Sequence, residues 1–235
     1  MTRRRWIADE VSANQALLIG EHARHLANVL RAHVGQEFEI STGTDVRHGR
    51  ITAIRPDRVE FELGEAVAHA DQSVITVVMA IFKFDRMEWA IEKCTELGVT
   101  RIVPLIAART ESHLASAAQK RSDRWRRIAH QASEQSRRVS PPEIADPLKL
   151  PDLLRNETGV RIVLSEVEQD TVLRDAVSPD AALVSLAFGP EGGWKEEELA
   201  AFKNAGWTSA SLGSTILRAE TAVIAAVAIA ASVTC

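Results

Sequence analysis

The stretch FGPEGGWKEEEL, Phe188 to Leu199, follows the apolar run AALVSLA and contains residues suited to holding a ligand. Gly189, Gly192 and Gly193 carry no side chain, so a bound molecule can approach the main chain closely. Ligands of α/β sheets gather at the carboxyl ends of strands, where this stretch falls. Neither phosphate fingerprint is present: the lysine and hydroxyl of GxxxxGK[ST] are missing here, and GxGxxG occurs nowhere in the chain. Glu196, Glu197 and Glu198 suit the positive end of the following helix, and their charge repels an anion. A neutral or zwitterionic ligand fits this loop better than a phosphate. On these residues alone, a plain turn with a helix cap is the alternative.

A second stretch, LGSTILRAETA from Leu212 to Ala222, also lies between a short strand and a helix. Arg218 and Glu220 stand at the head of an otherwise apolar helix, so each must be paired, solvent-facing or functional. An intramolecular ion pair is the plain reading. The helix carries alanine at 219, 222, 225, 226, 228, 230 and 231, small residues that permit close approach in a core or at a subunit interface. Core is the default.

From Lys120 to Arg138 the chain carries Lys120, Arg121, Arg124, Arg126, Arg127, Arg137 and Arg138 against only Asp123 and Glu134. With Arg3–Arg5, Arg31, Lys83, Arg86 and Arg109 this forms a candidate surface for RNA or another polyanion. Solvated helix faces are commonly charged, but here the sign is lopsided in a chain of formal net charge -4. No histidine pairs with an acid or another histidine at a metal-binding spacing, apart from the weak His22/His25 pair. Neither GxSxG nor HExxH occurs. Hydrolase and metalloenzyme chemistry are disfavoured, and no metal is expected.

The elements that must position these residues change in texture at about Asp71. Before it, EFEIST, RHGRITAIR and RVEFEL are short alternating segments separated by turn residues, preceded by a short helix in HARHLANVLRA. After a linker at about 66–73, VITVVMAIF reads as a strand buried on both faces. Met87, Ala90, Ile91, Cys94 and Leu97 then form one helical stripe, with Asp85 and Glu88 as a capping box and Gly98 as its close. The strand TRIVPLIAA, a long basic helix near 115–138, and the strands VRIVLSE and AALVSLAF follow. The helix KEEELAAFKNAG, a short strand SASLG and the Ala-rich helix complete an alternation that implies a parallel α/β sheet. Two domains are expected, 1–70 and 71–235.

The chain has 235 residues, 46% hydrophobic and 26% charged, enough for a sizeable core. Two cysteines, Cys94 and Cys235, make no disulfide framework. MTRRRWIADE lacks the apolar core of a signal peptide, and TAVIAAVAIAASV falls short of the ~20 residues of a membrane span. A cytoplasmic protein without membrane attachment is expected.

Taken in order, KFDRMEWAIEKCTELGVTRIVPL, SEQSRR, GPEGG and LGSTILRAETA resemble the RsmE-type 16S ribosomal RNA uridine-N3 methyltransferases of the SPOUT superfamily. HLANVLRAHVGQ is similar to that family's PUA-like RNA-binding domain, so the resemblance covers nearly the whole chain. It implies a small N-terminal PUA-like β-barrel at 1–70 and a SPOUT-type parallel sheet with a C-terminal deep trefoil knot at 71–235. Knots are nearly absent from proteins, and nothing in the periodicity points to one. It further implies S-adenosylmethionine as cofactor, bound by Leu164, Ser165 and Glu166, by Gly189, Pro190, Glu191, Gly192 and Gly193, and by Leu212, Gly213, Ile216 and Leu217. The implied pocket is completed by homodimerisation. The implied reaction is methylation at N3 of uridine 1498 of 16S rRNA, in the 30S subunit. Arg218 and Glu220 are the catalytic candidates, with Glu134 a weaker one. Arg4, Arg5, Arg31, Arg86, Arg127 and Arg138 would hold RNA phosphates.

The chain departs from the family pattern at three positions. Thr215 replaces a usual basic residue, Phe84 a glycine, and Arg137 a frequent glycine. Two rival readings remain, a SPOUT ribose 2′-O-methyltransferase and a non-catalytic RNA-binding ribosome-assembly factor. LRAETA lacks the asparagine-containing segment typical of the first.

Overall fold

In the C-terminal part of the chain, strands whose residues are apolar on both faces can be satisfied only by a sheet covered on both sides. The computed structural model describes residues 5–67 and 74–234. Arg4 and residues 68–73 of the expected linker lie outside them. The chain divides into two units, Met1–Ala70 with Ser133–Pro141, and Asp71–Ala132 with Pro142–Cys235.

The first unit contains β1 (Arg5–Ile7), β2 (Glu10–Ser12), β3 (Gln15–Ile19), α1 (Glu21–Arg24) running into a π-helical turn at His25–Val29, β4 (Glu37–Ser41), β5 (Val46–Arg55) and β6 (Arg58–Ala66). They pair in the order β1-β4-β5-β6-β3-β2, with β1 parallel to β4 and the remaining pairs antiparallel. β1 and β2 are the edges of that order, and no strand pairing among the described residues joins them. The two-residue period read from EFEIST and RVEFEL is realised: Phe38, Ile40, Val59, Phe61 and Leu63 turn inward, with Leu18, Leu26 and Ile51. Residues 133–141 attach to this unit through main-chain acceptors. The Arg5 guanidinium donates to the Arg137 carbonyl, and the Ser41 hydroxyl to that of Val139.

The second unit contains β7 (Val74–Ala80), α2 (Phe84–Glu96), β8 (Arg101–Ile106), α3 (Ser112–Gln135, whose last turn falls in the first unit), β9 (Glu143–Ile144), β10 (Leu148–Lys149), α4 (Leu150–Asn156), β11 (Val160–Leu164), α5 (Leu173–Ala176), β12 (Leu183–Phe188), α6 (Glu196–Asn204), β13 (Thr208–Ala210) and α7 (Ala219–Thr234). The sheet order is β10-β8-β7-β12-β11-β13, with β9 also beside β8, and every pair is parallel. Along β7, Ile75, Val77 and Met79 pack with residues of α2, α3, α5 and α7. Val78 and Ala80 pack on the other side with Leu153 of α4 and Phe202 of α6. Three layers result, with the sheet in the middle.

One local expectation is corrected. α2 is capped at Lys83 with no side-chain hydrogen bond, so Asp85 lies inside its first turn and forms no capping box. Glu88 instead pairs with Arg124 at 2.7 Å and Arg121 at 3.5 Å. Two guanidiniums on α3 outcompete a main-chain amide for that carboxylate. Cys94 is fully buried, and burial pushes its thiol up to about 12, so it stays neutral at physiological pH. No helix among the described residues is long and apolar enough to cross a membrane.

Arg137 adopts a φ of 59°, the left-handed region. That conformation costs an L-residue roughly 1–2 kcal/mol, of which glycine's greater unfolded freedom takes back roughly 0.5–1 kcal/mol. Arg137→Gly should therefore raise stability by about 0.5–1 kcal/mol in urea unfolding, while Arg137→Ala, which keeps a Cβ, should leave it near wild type.

Candidate active site

The carboxyl ends of the central strands stand in one row. Met79 of β7 is opposite Phe188 of β12, Phe188 opposite Leu164 of β11, and Leu164 opposite Ala210 of β13. The loops leaving the last three of these strands surround a cleft of about 860 Å³. It is lined by Leu164, Ser165 and Glu166, by Gly189, Pro190, Glu191 and Gly193, and by Leu212, Gly213, Ile216, Leu217 and Arg218. Gly192 stands behind the lining, its carbonyl turned to Arg109. Three stretches far apart in sequence thus meet at one site.

The glycine loop is held from behind. The Gly193 amide donates to the Pro190 carbonyl at 2.8 Å, closing a turn, and Gly193 has a φ of 70°. A Cβ there would lie 3.1 Å from Glu166 Oε1, so a side chain at 193 is opposed both by the backbone and by the facing wall. Arg109, from the loop after β8, donates to the carbonyls of Gly192 at 2.5 Å and Trp194 at 3.4 Å. Trp194 is buried against Phe202, with ring centroids 5.0 Å apart, and its indole N–H donates to the Leu164 carbonyl at 3.0 Å. That bond ties the loop after β12 to the end of β11. The acidic helix start divides its labour: Glu196 and Glu197 are exposed, while buried Glu198 accepts from the amides of Ala108 and Lys195, both at 2.9 Å. Glu198 is therefore a strut, and its charge is neutralised locally by two donors and the helix end.

The other wall is made differently. Among the described residues, no backbone N–H or C=O of residues 212–217 makes a hydrogen bond within the chain. Six consecutive residues therefore leave their polar groups for water or a ligand. Ile216 is 79% exposed at this edge.

Charge at the cleft is mixed. Glu166, Glu168 and Glu191 line it together with Arg86 and Arg218. Glu168 accepts the amides of Asp170 and Thr171, at 2.9 and 3.2 Å, and these hydrogen bonds hold its carboxyl below the usual range. The Arg218 side chain is exposed and makes no hydrogen bond or ion pair among the described residues. Glu220 is buried and pairs not with Arg218 but with Arg86, whose Nε lies 3.7 Å from its Oε1. An intramolecular ion pair is thus found for Glu220, with Arg86 as its partner, and not for Arg218.

Of the six arginines expected to hold phosphates, Arg4 lies outside the described residues and the other five differ in setting. Arg86 lines the cleft, Arg127 is exposed on α3 in the second unit, and Arg31 is exposed in the first. Arg5 is engaged inside the first unit by Glu39, 2.9 Å away, and by the Arg137 carbonyl. Arg138 is half-buried, and burial lowers its pKa from the ordinary arginine value. Glu134 lies 3.7 Å from His22 within the first unit.

Residues 69–231 match the RNA methyltransferase domain, and residues 18–64 match the RNA methyltransferase PUA domain. The Ribosomal RNA small subunit methyltransferase E of Rickettsia conorii is 32% identical, the alignment covering 88% of this chain and 85% of that protein. Its Bacillus subtilis counterpart is 30% identical, covering 87% and 85%. The chain belongs to the ribosomal RNA small subunit methyltransferase E family. A crystal structure of a member from Neisseria gonorrhoeae bound to S-adenosylmethionine superposes with a TM-score of 0.85 at 29% identity, covering 97% of this chain and 96% of that one. A putative methyltransferase from Legionella pneumophila, in complex with the same cofactor, gives a TM-score of 0.85 at 27% identity, covering 99% and 98%.

Sequence reasoning missed the supports of the cleft. Trp194 is adjacent to the glycines and was readable only as another apolar residue; its acceptor is 30 positions away. Arg109 reads in the sequence as part of the basic surface, since a guanidinium that holds main-chain carbonyls has the same sequence appearance as one that holds phosphates. Trp194→Phe keeps the ring packing and removes the donor to Leu164. It should cost about 1–2 kcal/mol in denaturant unfolding, the usual penalty for an abandoned buried acceptor.

Proposed function

We propose that this chain transfers a methyl group from S-adenosylmethionine to N3 of a uridine, uridine 1498, in the 16S rRNA of the small ribosomal subunit. The observation that carries the reading is the cleft at the strand ends, together with the S-adenosylmethionine in a family member of the same fold. Its size lies in the range of cofactor pockets, roughly 300–1,000 Å³.

The residues present fit the cofactor. Apolar side chains from Leu164, Phe188, Pro190, Leu212 and Leu217 line the cleft and can sandwich a purine. The unpaired backbone groups of residues 212–217 supply donors and acceptors for its edge. Glu166 and Glu191 favour a cationic centre over an anion, in keeping with the missing phosphate fingerprint. When bound, S-adenosylmethionine supplies an electrophilic methyl group on a sulfonium. The protein's own work is to orient the attacking nitrogen and to manage the N3 proton. Glu220, the carboxylate candidate for taking that proton, is buried at the head of α7 beside the cleft lining, where it pairs with Arg86. Arg218, exposed at the cleft edge with its guanidinium unengaged, stabilises the negative charge that develops on the uracil oxygens. The target base leaves its stack to enter the cleft. The first unit, Arg31 and Arg127 contact RNA phosphates.

The same reading includes a deep trefoil knot, a homodimer that completes the cleft, a boundary between RNA-binding and catalytic domains near residue 70, and a cytoplasmic location. Two features support the knot. β12 returns between β7 and β11 after β11 has been laid down, and α7 then packs against α2 and β7 near the sheet centre.

Methyl transfer to 30S subunits lacking the modification, compared with naked 16S rRNA, tests the reading. Mass spectrometry of the product should place the methyl on uracil N3; a 2′-O-methylribose product would overturn the assignment. Gly193→Val should weaken S-adenosylmethionine binding in calorimetry by at least about tenfold, roughly 1.4 kcal/mol, with the unfolding transition retained.

A further inference from the structure

Three carboxylates and two guanidiniums line the cleft, and the chain treats them unequally. Arg86 Nη1 donates to Glu191 Oε1 at 3.0 Å, so each offsets the other's charge. Glu168 accepts the amides of Asp170 and Thr171, with a further hydrogen bond from the Ser209 hydroxyl. Glu166 stands apart from both. Its side chain is exposed and takes no hydrogen bond or ion pair among the described residues.

Glu166 nonetheless has a defined place. It follows the end of β11 by two positions, and its Oε1 lies 3.1 Å from the point that a Cβ at Gly193 would occupy. The carboxylate thus reaches from one strand-end loop to the glycine wall, and both residues line the cleft. Arg109 Nη1 is 3.9 Å from that same point, yet it donates to the carbonyls of Gly192 and Trp194. Among the described residues it forms no ion pair with Glu166. Arg218, the other unengaged charge of the lining, belongs to the segment that leads into α7. Such a charge costs little while water solvates it. It gains a partner when a ligand of opposite sign displaces that water.

The proposed reaction changes the charge of what occupies the cleft. A sulfonium is cationic, whereas the thioether left once its methyl group has gone is neutral at sulfur. We infer that Glu166 is a specificity-determining residue of this cleft: its carboxylate, unpartnered among the described residues, favours the cationic cofactor over the neutral thioether product. The inference rests on the proposed function and assigns to one residue what an acidic lining does only in general. Glu191 and Glu168 contribute less, because Arg86 and main-chain amides already answer their charges. Glu166 makes and breaks no bond; it biases which of two ligands of nearly the same shape the cleft retains. Sorting them by shape leaves a single methyl group to read, while charge differs by a full unit.

The test uses the full-length protein and its isosteric neutral variant Glu166→Gln, with Glu196→Gln as a control. Glu196 is exposed at the start of α6 and is not part of the lining. Calorimetry with S-adenosylmethionine and with S-adenosylhomocysteine, its thioether product, gives the ratio of the two affinities. That ratio should fall by about fivefold in Glu166→Gln, the worth of one unit-charge pair at contact in water. Glu196→Gln should leave it at the wild-type value. Sinefungin, in which a carbon bearing an ammonium group replaces the sulfonium, should lose affinity in parallel with S-adenosylmethionine. High salt should shrink the ratio in the wild type more than in Glu166→Gln, because screening removes what the variant already lacks. An unchanged unfolding transition in Glu166→Gln shows that the fold is intact. Equal losses for cofactor and product would place the carboxylate at a group that both ligands share and overturn the inference. So would a loss for S-adenosylmethionine that sinefungin does not follow, or an equal fall in Glu196→Gln, which would make the effect one of overall charge. Wild-type protein that neither binds S-adenosylmethionine nor methylates unmodified 30S subunits would remove the proposed function itself. Normal wild-type methylation with an unmoved ratio in Glu166→Gln would sink this inference alone.

Discussion

The register of the parallel sheet is the constraint on which the site depends. Leu164 stands opposite both Phe188 and Ala210, so β11, β12 and β13 end at one level. A parallel ladder brings all chain exits to the same edge, unlike an antiparallel one, in which alternate strands end at opposite edges. The loops leaving Leu164, Phe188 and Ala210 are therefore neighbours by geometry, although they span residues 165 to 218. A slip of one residue in β12 would turn Phe188 from the α2/α7 side to the α4/α6 side and expose apolar surface throughout the strand. The register is specified by burial on both faces, and the cleft inherits that rigidity.

Upon this frame the two walls are built on opposite principles. The glycine wall is fully tied: Arg109 and Trp194 engage main-chain carbonyls, and Glu198 accepts two amides beside it. Its shape is determined before any ligand arrives, which reduces the ordering cost of binding. The 212–217 wall makes no hydrogen bonds of its own within the chain. A tied wall supplies a rigid template, while an untied one offers its polar groups to what lies against it. Arg86 links the first wall to the head of the helix that follows the second, by a hydrogen bond to Glu191 and an ion pair with Glu220.

Much of the frame was legible in residue order, because strands buried on both faces are long apolar runs and the helices between them carry three-four stripes. The glycine loop was legible too, since absent side chains at a strand end are themselves a signal. Other features have no sequence identity. Residues 133–141 attach to the first unit through the carbonyls of Arg137 and Val139, and every residue has a carbonyl. β1, β2 and β9 are two or three residues long, shorter than any period can be read. Arg86 carries a signal in its helical phase: it stands four positions before Ala90, at the margin of the buried stripe of α2. A guanidinium there has one side against the core and must find partners locally. Net charge along a sequence counts such a residue with the solvent-facing ones; helical phase separates them.

The unpaired wall also bears on why this architecture tolerates an energetic weakness. Exposed amides and carbonyls in residues 212–217 are solvated by water, so the segment is not heavily penalised while it faces an open cleft. Entry of a flat apolar ring removes that water, and the groups are then satisfied only if the ring's edge replaces it. A ligand of the right width with the wrong edge would strip solvent and return nothing, at a cost of about 1–3 kcal/mol per abandoned group. Selectivity for a purine-bearing cofactor thus needs no dedicated side chain. On the proposed reading GSTIL would discriminate through its main chain alone, since it holds no charged residue.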